Sequence, residues 1–295
     1  MSKSQISLLQ IAKELNGSNF KKFKFILRGL LHKNDIKSLY HLFLNSNLEP
    51  VIKSQPDIYN KPFRAYLFCN NAIKNKFEHI QSHYSYISNN FTSNAIEKIY
   101  STFELDLLEF ELENIGKIKV KLCYIAALGK EGEMTLLLDL NNEDLYSISF
   151  SFYQKDNDLE FIIYGIQSRS SVNPDTIKQV TKKMHGVRPR NYLFFILRQI
   201  CEVYNVNKIS AIRSQFHVAN CSHVSKTDKF QANYDQYWEE ESGIAGDKFY
   251  TLPLVEKRKT MEEIASKKRS MYNKRYNMLD EHKEVMKKVL KSLQN

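Results

Sequence analysis

Residues 103–167 constrain the fold most, because they contain five segments in which apolar residues alternate with polar ones or form short unbroken runs. Short turn sequences rich in Gly, Asn and Asp separate these segments. A period of two residues is typical of β-strands, and gaps this short join antiparallel neighbours. The sequence therefore predicts a five-stranded antiparallel meander.

A helical crossover is predicted directly after the meander. Asn173 and Pro174 form a helix start, Gly186 is the expected stop, and a second, strongly apolar helix covers residues 191–204. Residues 206–212 then form a short strand. A strand, two helices and a strand in this order place the two strands parallel, so the sheet is predicted to be mixed.

This topology resembles the acetyltransferase-like fold of the GNAT superfamily. In that fold, the acyl-CoA pyrophosphate binds at the N-terminus of the crossover helix, where free N–H groups and the helix dipole attract anions. The resemblance implies acyl-CoA, or another phosphate-bearing donor, as the ligand. The glycine-rich phosphate turn of the superfamily is missing here, since only Gly186 is present and Pro189 has no N–H.

The regions flanking the sheet are predicted to be helical, which makes the fold class α+β. Helices are expected over residues 8–15, 20–31, 35–44 and 63–86, with a proline-rich connector over residues 48–62. A C-terminal helix begins at Thr260, and residues 280–295 are a fraying end. The predicted domains are a helical N-terminal region (1–100), a mixed-sheet core domain (101–255) and a basic C-terminal helix packing on the core (256–295).

Composition favours an anionic partner. The formal net charge is +10, which attracts phosphate, nucleotides, nucleic acid or acidic lipid, although a solvated basic surface explains it equally well. No window approaches the roughly 18 apolar residues of a membrane span, and the first residues do not form a secretory signal. The sequence therefore predicts a cytoplasmic protein. Oligomeric state is not predicted.

The four cysteines and the helix at residues 20–31 allow two further predictions. Cys69, Cys123, Cys201 and Cys221 have no paired spacing, so buried thiols are expected instead of a disulfide or a zinc framework. The helix has basic residues beside an apolar stripe, which permits peripheral contact with an acidic inner-membrane surface. Its lysines also fit an ordinary solvated helix.

The basic turn at residues 182–190 is the first candidate site. Lys182, Lys183, Arg188 and Arg190 bring four positive charges and no acid into this turn. Arginine grips phosphate or carboxylate with two bonds, and His185 can titrate near neutral pH. We predict that Lys182, Arg188 and Arg190 bind an anion and that His185 is an acid or base. Alternatively, the cations cap the first helix.

Downstream residues extend this site. His217 follows the predicted parallel strand, at the sheet edge where ligands collect, so it is a second catalytic candidate. No third metal ligand accompanies it, since His223 falls in a loop, and no metal is predicted. Residues 227–247 are acidic and aromatic: Asp235 is a catalytic candidate and Trp238 a ligand-binding one. A structural loop packed against basic elements is the alternative.

The C-terminal helix has Lys268, Tyr272 and Arg275 on one face. Charges on a packed face need partners. These residues either pair with the carboxylates of residues 235–241 or line an anion pocket with Arg188 and Arg190. The hypothesis is that all these cations and both histidines share one cleft.

Several ordered motifs resemble the bacterial VirK/YbjX family. They are KEGEMTL at 130–136, YGIQ at 164–167, TKKMHGVRPR at 181–190, His217, YDQYW at 234–238, LP at 252–253 and KKRSMYNKR at 267–275. The match spans most of residues 60–280, with Ser168 where the family usually has glycine. The resemblance implies a bacterial protein linked to virulence, envelope stress and resistance to cationic antimicrobial peptides. It implies no established reaction.

Two classes of function follow. The first is an acyl-type transferase that holds an anionic donor on Arg188 and Arg190 and moves protons through His185 or His217. The second is a non-catalytic module that binds an anionic lipid headgroup, a nucleotide or nucleic acid. Nucleic acid is the least favoured partner, because no helix-turn-helix, RNA-recognition or zinc-finger signature is present.

Overall fold

The structure is a computed structural model, and it describes residues 7–103, 105–168, 173–221 and 233–295. The helices are α1 (Leu8–Glu14), α2 (Asn19–Leu31), α3 (Lys33–Leu44), α4 (Glu49–Ser54), α5 (Ile73–Asn90), α6 (Ser93–Glu97), α7 (Pro174–Lys183), α8 (Pro189–Val203), α9 (Tyr234–Glu240) and α10 (Ser266–Ser292). The strands are β1 (Asp106–Leu112), β2 (Gly116–Cys123), β3 (Met134–Leu140), β4 (Glu143–Lys155), β5 (Asp158–Ser168), β6 (Lys208–Ile212), β7 (Ile244–Ala245) and β8 (Phe249–Leu252).

One mixed sheet forms the centre of the molecule, with the strand order β1-β2-β3-β4-β5-β6-β8-β7. Strands β1 to β5 pair in sequence and are antiparallel. Strand β6 pairs parallel with β5, with Glu160 opposite Lys208. The predicted meander, the crossover through α7 and α8, the mixed sheet and the α+β class are therefore confirmed. The GNAT-like topology stays a prediction.

Helices cover the middle of this sheet. Every residue of β3 is buried, which requires cover on both faces. Helix α5 packs on β4, α8 packs on β3 and β4, and α10 packs on α8 and β1. Eleven residues of α8 are buried, as its apolar sequence predicts. The crossover helix is thus held between the sheet and α10, which fixes the position of its N-terminus.

Two predictions about the helical N-terminal region were wrong. The connector at residues 48–62 is not irregular, because it contains α4 and a 3-10 helix at Ile58–Phe63. Pro50 is accepted in the first turn of α4, where its missing N–H costs nothing. Helix α5 begins at Ile73 instead of Phe63. In the chain between them Leu67 and Asn70 have positive φ, and the Leu67 N–H donates to the Lys130 carbonyl in the loop before β3 at 2.8 Å.

The C-terminal predictions also need correction. Thr260 and Glu263 form a local hydrogen bond of 2.8 Å, but helix α10 begins only at Ser266. Residues 280–292 do not fray, because Met286 and Leu290 are fully buried and hold the helix on the core. Residues 244–252 form a β7–β8 hairpin, which was not predicted and extends the sheet beyond β6.

The cysteine prediction was half wrong. Cys123 and Cys201 are buried thiols, as expected. Cys69 and Cys221 form a disulfide across a sequence separation of 152 residues, with a Cα–Cα distance of 5.1 Å. An antiparallel bridge between Phe68 and His217 brings the two segments together. In the part of the chain that the structure describes, no helix combines the length and apolar character of a membrane span.

Candidate functional site

A cleft of about 430 Å³ lies between the α7–α8 turn, the segment after β8 and helix α10. We call it the basic cleft. Its walls include Gly186 and Arg188 from the turn, Glu241 from the end of α9, Pro253, and Arg275 from α10. Ligand pockets are usually about 300–1,000 Å³, so this volume is sufficient for a small ligand. The basic cleft joins segments that are far apart in the sequence.

The α7–α8 turn is held in shape by α10. His185 and Gly186 both have left-handed backbone angles, with φ of 53° and 82°, and the N–H of Gly186 donates to the carbonyl of Thr181 at 2.8 Å. The Arg275 guanidinium donates twice to the His185 carbonyl, at 3.0 and 2.9 Å. A Cβ at Gly186 would lie only 2.7 Å from an Arg275 nitrogen. Glycine at this position therefore permits the contact between turn and helix.

The acidic groups of the cleft wall all have basic partners. Arg190 binds Glu240 at 2.9 Å and packs over the Tyr237 ring at 4.3 Å. Arg198 binds Glu241 at 3.2 Å, and Arg258 binds Glu256 at 2.9 Å. Burial raises the pKa of Glu241, and Arg198 opposes that shift. These carboxylates therefore add little negative potential to the cleft.

Three cations of the basic cleft have no acidic partner among the described residues. Arg188, Lys257 and Arg275 line it, and none makes an ion pair with an acid among the described residues. Arg188 is also the N-cap of α8, which has no side-chain cap there. The side-chain oxygen of Asn191 is buried, and no described residue donates to it. The cleft thus offers positive charge and a helix N-terminus, and the Asn191 oxygen is a buried acceptor in its wall.

The other predicted ligand-binding residues lie around this cleft. Lys182 and Lys268 are exposed and do not line it. Tyr272 lies under the Arg275 guanidinium, 4.2 Å from ring centre to carbon, so it positions that side chain. The ligand-binding roles of Lys182, Lys268, Tyr272 and Arg190 stay predictions, although Arg190 already has a carboxylate partner.

His185 is half-buried beside α10 rather than in the cleft wall. Burial lowers the pKa of its imidazole, and the charges of Lys274 and Arg275 lower it further. The neutral form is therefore favoured at pH 7, which suits a base better than an acid. Its catalytic role stays a prediction.

His217 does not share the basic cleft, so the expected convergence of both histidines is not observed. Its side chain is 1% exposed, and its Nε2 lies 3.5 Å from a carboxylate oxygen of Glu131. Its Nδ1 accepts the N–H of Ala219 at 3.3 Å, and Tyr234 packs edge-on against the ring. The Phe68–His217 bridge, beside the Cys69–Cys221 disulfide, fixes the backbone of His217 against the N-terminal region.

Asp235 and Trp238 have structural contacts. One oxygen of Asp235 accepts the N–H of Ser214 at 2.7 Å, and the other lies 3.7 Å from Arg213. Trp238 is fully buried and donates to the carbonyl of Ile212 at 3.0 Å. The indole therefore presents no surface to a ligand in this conformation. Residues 227–232 of the acidic segment, and His223, lie outside the described residues.

The described ranges contain no group of three His, Cys, Asp or Glu side chains arranged to hold a metal ion. The catalytic candidates His185, His217 and Asp235 are likewise not assembled around one reacting position.

Sequence reasoning missed two carboxylates at the start of β3. Glu131 faces His217 and accepts from Gln167 at 3.1 Å, whereas Glu133 is fully buried. Gly132 has φ of 151°, and a Cβ there would meet the Phe150 backbone at 2.6 Å. A sequence signal existed, because acids that directly precede a wholly apolar strand lead into a core and need partners there.

Comparisons with known proteins agree with the motifs. A family described as "Protein of unknown function (DUF535)" matches residues 16–288. The chain is 27% identical over 263 residues to the uncharacterized protein YbjX of Escherichia coli strain K12, covering 87% of this chain and 79% of that protein. It is 38% identical over 143 residues to an uncharacterized protein of Haemophilus influenzae, covering 48% of this chain and 47% of that one.

No solved structure matches the chain. The family match extends over most of the chain, from just before α2 into α10, and so includes every segment that lines the basic cleft. The resemblance to the VirK/YbjX family is confirmed, and the chain belongs to the DUF535 family.

Proposed function

We propose that the protein binds a phosphate-bearing ligand in the basic cleft. The ligand is a phosphate ester that also has a hydroxyl or amine, either as a free metabolite or as a lipid headgroup. The observation that carries this proposal is the charge pattern of the cleft, in which Arg188, Lys257 and Arg275 lack acidic partners while neighbouring carboxylates are matched.

Each part of the ligand has a complementary group. A phosphate accepts charge-assisted hydrogen bonds from Arg188 and Lys257 and gains from the positive end of the α8 dipole. Pro189 has no N–H to donate. The Arg188 guanidinium must therefore supply the hydrogen bonds to phosphate that backbone N–H groups supply in a glycine-rich turn. A ligand hydroxyl can donate to the Asn191 oxygen once this side chain, which lines the cleft, turns the buried atom outward. This acceptor favours an ester with a polyol or sugar over inorganic phosphate.

Binding without chemistry fits the cleft better than acyl transfer. Arg190 and Arg198 already hold carboxylates, and the predicted bases His185 and His217 do not line the walls. A phosphate-bearing acyl donor such as acyl-CoA is kept as a ligand to be tested. The links to virulence, envelope stress and antimicrobial-peptide resistance are expectations from family resemblance, and recognition of an anionic headgroup is compatible with them.

Calorimetric titration tests the proposal with three probes: sn-glycerol 3-phosphate, CoA and dihexanoyl phosphatidic acid. We expect Arg188→Ala to weaken binding by roughly 1.5–3 kcal/mol, the range for a charge-assisted hydrogen bond. Lys155→Ala is the matched control, because Lys155 is exposed on the turn between β4 and β5. Equal affinity in Arg188→Ala and Lys155→Ala would refute the cleft as the site.

The same titration separates the ligand sources. Binding of glycerol 3-phosphate indicates a free phosphate ester, and binding of the short-chain lipid alone indicates a headgroup ligand. Incubation with acyl-CoA and bacterial lipid, followed by assay of released thiol, tests transfer. Turnover that is lost in His185→Ala would favour the transferase over simple binding.

A second candidate function is docking on an anionic membrane through α2, and a separate observation favours it. Five large apolar side chains of this helix face solvent: Phe20 is 64% exposed, Phe23 55%, Leu27 50%, Leu30 61% and Leu31 86%. Their spacing puts them on one stripe, whereas the buried residues Phe25 and Gly29 lie on the opposite face. A soluble monomer seldom exposes such a stripe without a partner.

The charges beside this stripe specify the partner. Lys21, Lys24 and Arg28 lie along one flank of α2 and are exposed, and Lys24 packs over the Phe20 ring at 4.3 Å. An apolar face with a basic flank suits an interface helix that inserts beside acidic headgroups. The predicted inner-membrane contact would therefore be peripheral and would use α2.

Vesicle sedimentation tests this surface, with phosphatidylglycerol–phosphatidylcholine vesicles compared with pure phosphatidylcholine. We expect the wild type to bind the anionic vesicles and Leu27→Glu to lose most of that binding. Ile244→Glu is the matched control, since Ile244 is 74% exposed on β7. If Leu27→Glu instead abolishes dimer formation in light scattering and leaves vesicle binding unchanged, a second copy of the chain is the partner.

A further inference from the structure

A second group of charged side chains lies beside a pocket formed by the N-terminal region and the loop before β3. The pocket has a volume of about 260 Å³, and its walls include Ile58, Ala65, Tyr66 and Tyr124. Lys61 reaches into it, with a side chain that is 13% exposed. Mostly apolar walls with a few convergent polar groups are typical of small-molecule sites.

Glu133 lies behind the Lys61 amine and is fully buried. Its Oε1 is 2.6 Å from Lys61 Nζ and also accepts from the Tyr66 hydroxyl. Its Oε2 accepts from the Tyr84 hydroxyl at 2.6 Å. Burial alone would raise the pKa of Glu133, but the Lys61 charge lowers it below the usual value. The carboxylate is thus a fixed, ionised neighbour of the amine.

The Lys61 amine has one hydrogen to spare. Of its three donors, one serves Glu133 and one serves the side-chain oxygen of Gln55 at 3.2 Å. The rings of Tyr66 and Tyr124 lie 5.0 and 5.6 Å from Nζ, and no third acceptor is found among the described residues. Burial lowers the pKa of Lys61, and the charge of Glu133 opposes that shift without cancelling it. A desolvated amine beside a base is the usual setting of a nucleophilic lysine.

We propose that Lys61 is a catalytic nucleophile that forms an imine with a small, uncharged aldehyde or ketone bound in this pocket. The substrate is uncharged because Glu133 already balances Lys61 and Asp57 already balances Arg64 in the pocket lining, and a further charge beside the buried pair would be costly. Its carbonyl oxygen accepts the free N–H of Lys61, and its apolar body contacts Tyr66 and Tyr124. This site is separate from the basic cleft and does not depend on it.

The step balances without another reactant. The Lys61 ammonium gives a proton to Glu133, and the neutral amine adds to the carbonyl carbon while a second amine proton moves to the carbonyl oxygen. The carbinolamine then loses its hydroxyl as water, with the proton returned by Glu133. The products are a protonated imine on Lys61, an ionised Glu133 and one water molecule.

Reductive trapping tests the proposal. The full chain is incubated with benzaldehyde and sodium cyanoborohydride at pH 7, and benzylated lysines are located by peptide mass mapping. We expect Lys61 to be labelled faster than exposed Lys155, because burial lowers the pKa of the Lys61 amine and so enlarges the neutral fraction that adds to an aldehyde. Labelling of Lys61 no faster than Lys155 would overturn the proposal and leave a purely structural ion pair.

Two variants make the test specific. Lys61→Arg retains a cation beside Glu133 and should lose the label while labelling of Lys155 is unchanged. Ala126→Phe fills the pocket from an exposed wall position and leaves the ion pair intact. It should slow labelling of Lys61 about tenfold or more without lowering the melting temperature. Undiminished labelling of Lys61 in Ala126→Phe would show that the pocket is not the route to the amine.

Discussion

The basic cleft and the Lys61–Glu133 cluster both collect charged side chains from distant segments, but they differ in how each charge is matched. In the cluster, Glu133 is inaccessible to solvent and both of its oxygens have donors. In the cleft, Arg188 is exposed and has no acidic partner in the described ranges. A buried charge without partners is costly, whereas an exposed one costs little. The cluster should therefore govern stability, and the cleft should govern ligand affinity.

The largest expected effect comes from breaking the buried pair. Glu133→Ala should lower the free energy of unfolding by roughly 3–5 kcal/mol, because it leaves Lys61 buried without its counter-charge. Urea unfolding measures this change. Glu143→Ala is the matched control, since Glu143 is exposed at the start of β4, and it should change stability by less than about 0.5 kcal/mol. An equal change in the free energy of unfolding for both variants would contradict the conclusion that the Lys61–Glu133 cluster governs stability.

An intermediate effect is expected at the turn that bounds the cleft. Gly186→Ala should cost about 1–2 kcal/mol, because a side chain is strained at positive φ, and the new Cβ would press on Arg275. Thermal unfolding measures the loss. Asn205→Ala is a useful comparison, since Asn205 also has positive φ, at 52°, but lies at the far end of α8. Only Gly186→Ala should also weaken ligand binding.

The buried side chain of His83 should make the free energy of unfolding depend on pH. Burial lowers the pKa of His83 from 6.5 to about 3, and its ring is held by the Tyr100 hydroxyl and the Phe152 N–H. Between these two values the unfolded chain binds a proton that the folded chain does not, so stability falls as pH falls below 6.5. His83→Gln should reduce this slope by about 1 kcal/mol per pH unit. Urea unfolding at pH 7, 6 and 5 measures it, and an unchanged slope would contradict the assignment.

The smallest expected effect on stability is that of Arg188→Ala. An exposed side chain without a partner should change the free energy of unfolding by no more than about 0.5 kcal/mol. The same variant is expected to lose phosphate affinity, so one residue separates binding from folding. A large loss of stability would instead identify Arg188 as a cap of α7 or α8.

Patterns that are local in sequence were predictable. The two-residue period of β1 to β5, the Asn173–Pro174 start of α7 and the apolar content of α8 each depend on neighbouring residues, and the structure agrees with them. Hydrophobic periodicity predicted that α2 exists, but not which face is covered. Coverage depends on α1, α3 and the 3-10 helix that pack on Phe25 and Gly29.

The candidate site was predictable only in part. Arg275 could be placed with the basic turn as one of two alternatives, because a cation on a packed helix face needs either a carboxylate partner or an anion pocket. His217 was assigned to the same cleft by its position after β6, yet the Phe68–His217 bridge turns it towards Glu131. Lys61 and Glu133 lie 72 positions apart in the sequence, and no period or motif in a single sequence connects them.

The Cys69–Cys221 bond closes a covalent ring that contains α5 to α8 and β1 to β6. A protease that cuts one peptide bond inside this ring cannot separate the two fragments, so a nicked chain runs as a single band on a denaturing gel until reductant is added. A cut before Cys69 or after Cys221 releases its fragment at once. Gels run with and without reductant would therefore show whether each cleavage site lies inside or outside this ring.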